Sequence, residues 1–439
     1  MTRFTSLHFA LALLAISSTA NAVDLLDIYR TAQSNDPVFA SARASLQAGQ
    51  EKLSQGRSLL MPSITLKASS TFNDVDAQYE DSMSLTVTSR YHSNGVGVTL
   101  IQPLFRQQSW QVYSQSQLQV VQSEAQFKIA EQELILRVAQ AYFDVLIAKD
   151  SVLLVEAQKK AISEQLEQAK RNFEVGSATI TDTLEAQARY DLTGAQDLAA
   201  RNSLEIKRRS LQQLINKIPQ DLKSLGNEFK PESLQPADME KWVEDAHANN
   251  LELVIARLSA ELAEKEVTRN LGGHYPTLDL VANYSKSSSN GGSLRGNTNK
   301  SIGVQLNMPL YLGGLVNSRW REAEANLERA SQELENVRRS VATQARQAYL
   351  GVESGMAQVQ ALKQALASSK SVLEASKLGQ QVGVRTNLDV LNAQQQLFST
   401  RQELFQAQYN YLMSRLRLKA SIGTLNEADL NQVNQALQK

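Results

Sequence analysis

The chain has no cysteine among its 439 residues, so neither disulfide bonds nor thiolate metal sites can hold its fold. Proline is scarce, at 8 residues, and only 6% of the residues are aromatic. Gln, Ala, Leu, Ser and Glu dominate instead, the alphabet of long helices. Charge of one sign is missing as well: 45 basic residues face 45 acidic ones, so no broad field points to nucleic acid as a partner. No segment approaches the ~20 uninterrupted apolar residues that a transmembrane helix needs. Near the N-terminus, Arg3, a short apolar stretch at 9–16 and Ala20-Asn21-Ala22 have the layout of a cleaved secretory signal over residues 1–22. The expectation is an exported chain starting at Val23, held by packing and by oligomerisation.

Catalytic equipment is also thin. His8 leaves with the signal, and His92, His247 and His274 are isolated, without the paired spacing of zinc sites. No phosphate-binding glycine loop, nucleophile elbow or dinucleotide fingerprint occurs; Gly272-Gly273 and Gly313-Gly314 each punctuate a helix boundary beside a strand. The reading is a protein that is not an enzyme, with no cofactor and no nucleotide of its own, so that energy for any work comes from partners.

What the sequence does have, it has twice. "FEVGSATITDTLEAQ" at 173–187 returns as "QQVGVRTNLDVLNAQ" at 380–394, an offset of about 207 residues. Val175, Gly176 and Asp182 align with Val382, Gly383 and Asp389, while Ala178 aligns with Arg385. Residues 61–72 likewise answer 275–286, and 95–105 answer 301–311, with Pro103 matching Pro309. The divisions expected are a first repeat at 23–218, a proline-bearing linker at 219–237, a second repeat at 238–421 and a tail at 422–439.

The four matched segments alternate strictly: Ile64, Leu66, Ala68 and Phe72 on one face, Thr65, Lys67, Ser69 and Thr71 on the other, and similarly in the other three. Each is about ten residues, the length of a tilted membrane-spanning strand. The polar stretches 73–94 and 285–300 are expected as hairpin loops, with Phe72, Tyr91, Phe105, Tyr284 and Tyr311 near strand ends as an aromatic girdle. A half-buried soluble sheet would alternate in the same way. Proline-free runs at 106–174 and 316–381 predict two helices, each on the order of 100 Å long. Along the first, Val138, Ala141, Val145, Ala148, Val152, Val155, Ile162, Leu166, Ala169 and Phe173 mark a coiled-coil seam; Ala345, Ala348, Val352, Gly355, Val359, Leu362, Leu366 and Leu373 mark that of the second. Single shorter helices are expected at 24–60, 183–218, 238–271 and 388–421. The doubled turn then closes a hairpin between a long helix and a short one.

Four strands cannot close a barrel, and an open edge in lipid leaves backbone groups unpaired at several kcal/mol each. The chain must therefore share a barrel with further copies. The competing reading is an exported coiled-coil adaptor or scaffold with a soluble β domain and no channel.

With these features in place the chain resembles the TolC family of outer membrane channels, the exit ducts of efflux pumps and type I secretion. The resemblance runs from "NDP" at 35–37 to "YNYLMSRLRLKASIGTLNEADL" at 409–430 and is most specific at "VGSATITD" and "VGVRTNLDVLNA". It implies an α+β membrane protein: a homotrimer whose 12-stranded transmembrane β-barrel, four strands per chain, sits in outer membrane lipid and continues into an α-helical coiled-coil periplasmic tunnel. It also implies partners, a periplasmic adaptor of the membrane-fusion type and an inner membrane transporter of RND, ABC or MFS type. In the family an acidic residue of the first turn engages an arginine of the second and holds the tunnel mouth closed; Asp182 and Arg385 stand at those positions. Asp389 matches the first of two aspartates that ring the constriction, but Asn392 stands at the second, and Gln380 replaces a tyrosine. The mouth should therefore carry fewer charges and a latch without its aromatic member. Val175, Gly176, Val382, Gly383 and Gln380 form the tips expected to meet the adaptor. The bland alternative is that Asp182 and Asp389 cap restarting helices and that Gly176 and Gly383 are helix C-terminal glycines.

Overall fold

The computed structural model describes residues 23–78, 86–219, 221–226, 229–291 and 295–438. The secretory signal expected at 1–22 lies outside the described residues. The chain runs α1 (Leu25–Asn35), α2 (Pro37–Ser58), β1 (Ser63–Gln78), β2 (Thr86–Phe105), α3 (Gln107–Glu174), α4 (Ile180–Ile215), β3 (Ser224–Leu225), α5 (Met239–Asn249), α6 (Leu251–Leu271), β4 (Thr277–Ser289), β5 (Gly296–Asn307), α7 (Leu315–Gln381), α8 (Asn387–Ser421), α9 (Glu427–Ala436) and β6 (Leu437–Gln438).

The two long helices have the extents the sequence predicts, and at 68 and 67 residues each spans about 100 Å. The helices expected at 24–60 and 238–271 are each two helices. Asp36 ends α1 and caps α2, its carboxylate accepting from Phe39 N at 3.3 Å, with Pro37 in the first helical position. Asn250 breaks the second pair at the equivalent place, accepting from Leu253 N at 3.0 Å. Short pieces laid end to end thus line each long helix. Where α2 crosses α3, Gly49 faces Ser123 and Gly56 faces Ser116 so closely that a β-carbon on either glycine would lie 2.2 Å from the serine hydroxyl.

The seam residues Val138, Val145, Ala148, Val152, Ile162, Leu166 and Ala169 are buried, as are Ala345, Val352, Val359 and Leu373. Phe173 departs from expectation: it lies on the last turn of α3 and is exposed. Midway along α3, Tyr142 is fully buried and donates to the carbonyls of Lys223 at 2.8 Å and Val23 at 3.2 Å, tying the start of the chain and the linker to one level. Within the linker β3 pairs with β6 of the tail, and α9 packs on α1.

The sheet has the order β1-β2-β4-β5, all neighbours antiparallel, so β2 and β4 join the two repeats. The strands overrun the expected ten residues, at 16, 20, 13 and 12. Much of 73–94 and 285–300 is therefore paired strand and not loop, and Phe72 and Tyr91 sit within the hairpin instead of at its ends. Beyond the apolar rungs the ladder continues by backbone pairing, joined by Asn73 donating to Ser93 Oγ at 2.9 Å and Arg90 to Asp74 at 3.1 Å. Register decides the faces. Ile64, Leu100, Ala282 and Ile302 form one rung, Leu66 and Val98 the next, and Leu280 with Val304 and Leu278 with Leu306 follow on the same side. Ile64, Leu66, Ile302, Val304 and Leu306 are each more than 60% exposed, so no element of the chain covers this apolar face. The other face carries Thr65, Thr99, Asn283 and Ser301 on one rung, with Thr99 Oγ1 donating to Asn283 at 3.1 Å. At the helix end of the sheet Arg106, preceding α3, grips Asp279 of β4 through two hydrogen bonds of 2.8 and 2.6 Å.

Candidate functional site at the hairpin tips

Helices α3 and α4 form one hairpin, α7 and α8 the other, and their turns are built atom for atom alike. In the first, Gly176 N donates to Phe173 O at 2.9 Å, and Ser177 N and Ala178 N both donate to Asn172 O at 2.8 and 3.2 Å. In the second, Gly383 N donates to Gln380 O at 3.1 Å, and Val384 N and Arg385 N both donate to Gly379 O at 2.9 and 3.1 Å. Gly176 and Gly383 hold φ of +75° and +79°, a left-handed conformation that requires glycine here.

The following helix starts identically too. Thr179 caps α4 and Thr386 caps α8, each with its N–H and hydroxyl donating to an aspartate three residues on: Asp182 at 2.9 and 2.7 Å, Asp389 at 2.8 and 2.8 Å. Both aspartates are thus the third helical residues of capping boxes, the role a bland reading assigns them. The carboxyl of Asp389 is held below its usual value, first by the Thr386 N–H, then by the Thr386 hydroxyl, with the Arg385 guanidinium adding to both.

Within one chain Asp182 and Arg385 do not pair. Arg385 instead stands 3.7 Å from Asp389, one turn along, a solvated contact of the weak kind. Its side chain folds back over Gly379, where a β-carbon would lie 2.6 Å from Arg385 Cγ. Val175 and Val382, following the last helical residues, are 77% and 67% exposed and leave each tip with an apolar crown.

Asn392 is not free. It accepts from Arg189 Nη2 of α4 at 2.7 Å, and the same guanidinium reaches Gln395 one turn further on. Gln380 donates to Asn387 Oδ1 at 3.3 Å, and Gln165 of α3 donates to Asn387 and to Gln380. Below these, Leu391 of α8 packs into the core of the first hairpin among Ile162, Leu166, Ala169 and Ala186. Arg189, Gln165, Asn387, Gln395 and Gly379 were not flagged by the sequence. Asn392 and Gln395 do share a helix face, but nothing in the sequence says which helix turns towards it.

Among the described residues no group of His, Asp or Glu could hold a metal ion. What the two tips offer is packing, hydrogen bonding and exposed charge.

The family model described as outer membrane efflux protein matches residues 28–217 and 242–424, each span taking in one copy of the repeat. Outer membrane protein TolC of Escherichia coli K12 is 33% identical over 452 residues, covering 100% of this chain and 90% of that protein. The alkaline protease secretion protein AprF of Pseudomonas aeruginosa is 34% identical over 440 residues, covering 99% and 91%. The crystal structure of the Campylobacter jejuni CmeC outer membrane channel superposes with a TM-score of 0.77 at 16% identity, over 100% of this chain and 98% of that one, a likeness of fold. The doubled hairpins, the sheet with its uncovered apolar face and the full-length relatives lead to one conclusion: the chain belongs to the outer membrane efflux protein family, the TolC-type channels.

Proposed function

We propose that three copies of this outer-membrane exit duct close one barrel and one tunnel, through which drugs, small molecules or proteins handed over by an inner membrane transporter leave the cell. The sheet carries this reading. One face carries an uncovered, mainly apolar band from Leu278 and Leu306 to Leu66 and Val98, the other is mainly polar, and β1 and β5 end the sheet with open edges among the described residues. Open edges are not tolerated in hydrocarbon, so β5 of one copy pairs with β1 of the next until the ring closes. Family membership supports three copies and hence twelve strands. The helices continue through the periplasm for about 100 Å.

At the far end the apolar tips around Val175 and Val382, with Gly176 and Gly383 setting their shape, give a periplasmic adaptor something to grip. Beyond the adaptor stands a transporter of RND, ABC or MFS type. The relatives, one of them named for protease secretion, support both efflux and type I secretion. Because Asp182 and Arg385 do not meet within a chain, their latch acts between neighbouring copies. Asp389 rings the axis with one carboxylate per copy, and Asn392, Gln380 and their partners fasten the two hairpins of a copy together. An adaptor opens the mouth by binding the open arrangement better.

Planar-bilayer conductance of the purified mature protein tests the duct. A small cation-selective conductance from a heat-sensitive oligomer that needs detergent is expected. A folded protein that stays soluble without detergent and conducts nothing would leave the coiled-coil scaffold as the better account.

A further inference from the structure

Two lysines stand where the apolar band of the sheet gives out. On the uncovered face, above the rung of Leu100, Ala282 and Ile302, Val98 and Tyr284 lie opposite Lys300, and Val96 and Lys286 lie opposite Thr298. The next rung outward is Ser70, Asn94, Ser288 and Gly296, without an apolar side chain, and Phe72 with His92 stands beyond it. This boundary lies at the end of the sheet away from the helices, which in an outer-membrane duct is the level of the outer leaflet. Lys286 and Lys300 sit on neighbouring strands one rung apart, a diagonal of about 7 Å.

Both lysines are exposed, and neither has a carboxylate partner among the described residues. Arg90, further out on the same face, is by contrast neutralised by Asp74 at 3.1 Å. Lys300 Nζ lies 5.8 Å from the centroid of the Tyr284 ring, which steadies the ammonium over the sheet. Directly below, Val98, Leu100, Ala282 and Ile302 floor a shallow groove of about 410 Å³. A lysine on a lipid-facing strand is costly at the bilayer centre and tolerated at the interface, where its stem lies on apolar surface and its head reaches out. Two such heads side by side with no counter-charge repel one another unless an anion lies between them.

We propose that Lys286, Lys300 and Tyr284, with the groove beneath them, form a binding site for a phosphorylated glycolipid of the outer leaflet. A phosphate sits between the two ammonium groups and an acyl chain runs along Val98, Leu100, Ala282 and Ile302. The site rests on the lipid-facing reading of this sheet face, and it gives each copy one annular lipid that pins the barrel's height in the membrane.

The test uses the purified mature oligomer in detergent, titrated with lipopolysaccharide bearing its lipid-anchor phosphates, with the same material after dephosphorylation, and with phosphatidylglycerol. Bound lipid is counted by native mass spectrometry. Wild type should retain the phosphorylated glycolipid about tenfold better than either comparison lipid, and Lys286→Gln with Lys300→Gln should erase that preference. Lys67→Gln, on the opposite face, should leave it intact. Equal retention of dephosphorylated lipid or of phosphatidylglycerol, or unchanged binding in the lysine variant, overturns the proposal. Bilayer conductance is read on the same samples: normal conductance with no phosphate preference overturns the site alone, whereas no conductance removes the barrel reading beneath it.

Discussion

Asp182→Asn separates two roles that Asp182→Ala would remove together. The Asp182 carboxylate accepts the N–H and hydroxyl of Thr179 at 2.9 and 2.7 Å. An asparagine carbonyl at the same place can still accept, so the capping box survives while the charge that would reach an arginine of a neighbouring copy is lost. A solvated ion pair contributes roughly 0 to 1 kcal/mol, so three around one axis bias closure by at most about 3 kcal/mol, a factor on the order of 100 in closed over open. Asp182→Ala also removes the carboxylate half of the capping box and leaves the Thr179 N–H unpaired, while Thr179 Oγ1 still accepts the backbone N–H of residue 182; at up to about 1 kcal/mol per copy this loosens the tip with or without a latch. In single-channel recordings Asp182→Asn should raise the open fraction several-fold, and Arg385→Ser should match it. Raising salt towards 1 M should bring wild type close to both variants, because the screening length falls to about 3 Å. Should Asp182→Asn conduct like wild type while Asp182→Ala leaks, the aspartate is a cap alone and the latch between copies is wrong.

The remaining expectations concern the tip and the tunnel wall. Because the folded state holds the Asp389 carboxyl below its ordinary 3.8, its cap is fully present above that value and is lost as pH falls through the still lower folded value; conductance should therefore stay flat from about pH 7 to pH 5 and rise only in stronger acid, and a rise already by pH 5 would contradict this. Gly56→Ala places a β-carbon 2.7 Å from Ser116 Cβ and 3.3 Å from Tyr113 Cα, contacts that side-chain rotation cannot relieve; overpacking of about 1 to 3 kcal/mol should lower the dissociation temperature of the oligomer, with partial recovery on adding Ser116→Gly. Asp36→Ala removes the cap of α2 and strips Arg137, 2.6 Å away and about one-third exposed, of its partner. The cost should be about 2 kcal/mol, below that for a fully buried pair, and Asp36→Asn should be milder because the cap persists; equal losses would show that the cap is immaterial.

The long helices were legible in the sequence because nothing competes with them: no proline interrupts 107–174 or 315–381, and each seam repeats in three-four spacing. The breaks at Asp36 and Asn250 were harder. Pro37 is compatible with the first turn of a helix and so marks a start without proving a stop, and Asn250 carries no proline at all. The strands were legible only as far as lipid writes on them. Alternation between apolar and polar residues ends near Phe72, yet β1 runs to Gln78, since in water a hairpin needs pairing and not pattern. The cross-hairpin contacts of Arg189 and Gln165 were not legible, because a seam fixes which face of a helix meets its own partner and leaves open how two finished hairpins turn against each other.

The repeat itself supplies the control for Arg385. Its counterpart Ala178 occupies the same place in a turn with the same two hydrogen bonds to the helix end, the same left-handed glycine and the same threonine–aspartate box. The fold of the turn therefore asks for nothing more than an alanine there. An arginine at that position, laid across a glycine that leaves room for it and ending in solvent beside Asp389, is not explained by making the turn. The same comparison acquits Asp389 and Asp182 of being functional merely because they recur, since both are needed to start a helix. Of the residues that the doubled motif brings forward, Arg385 is the one the turn itself does not call for, and so the one on which the proposed latch rests.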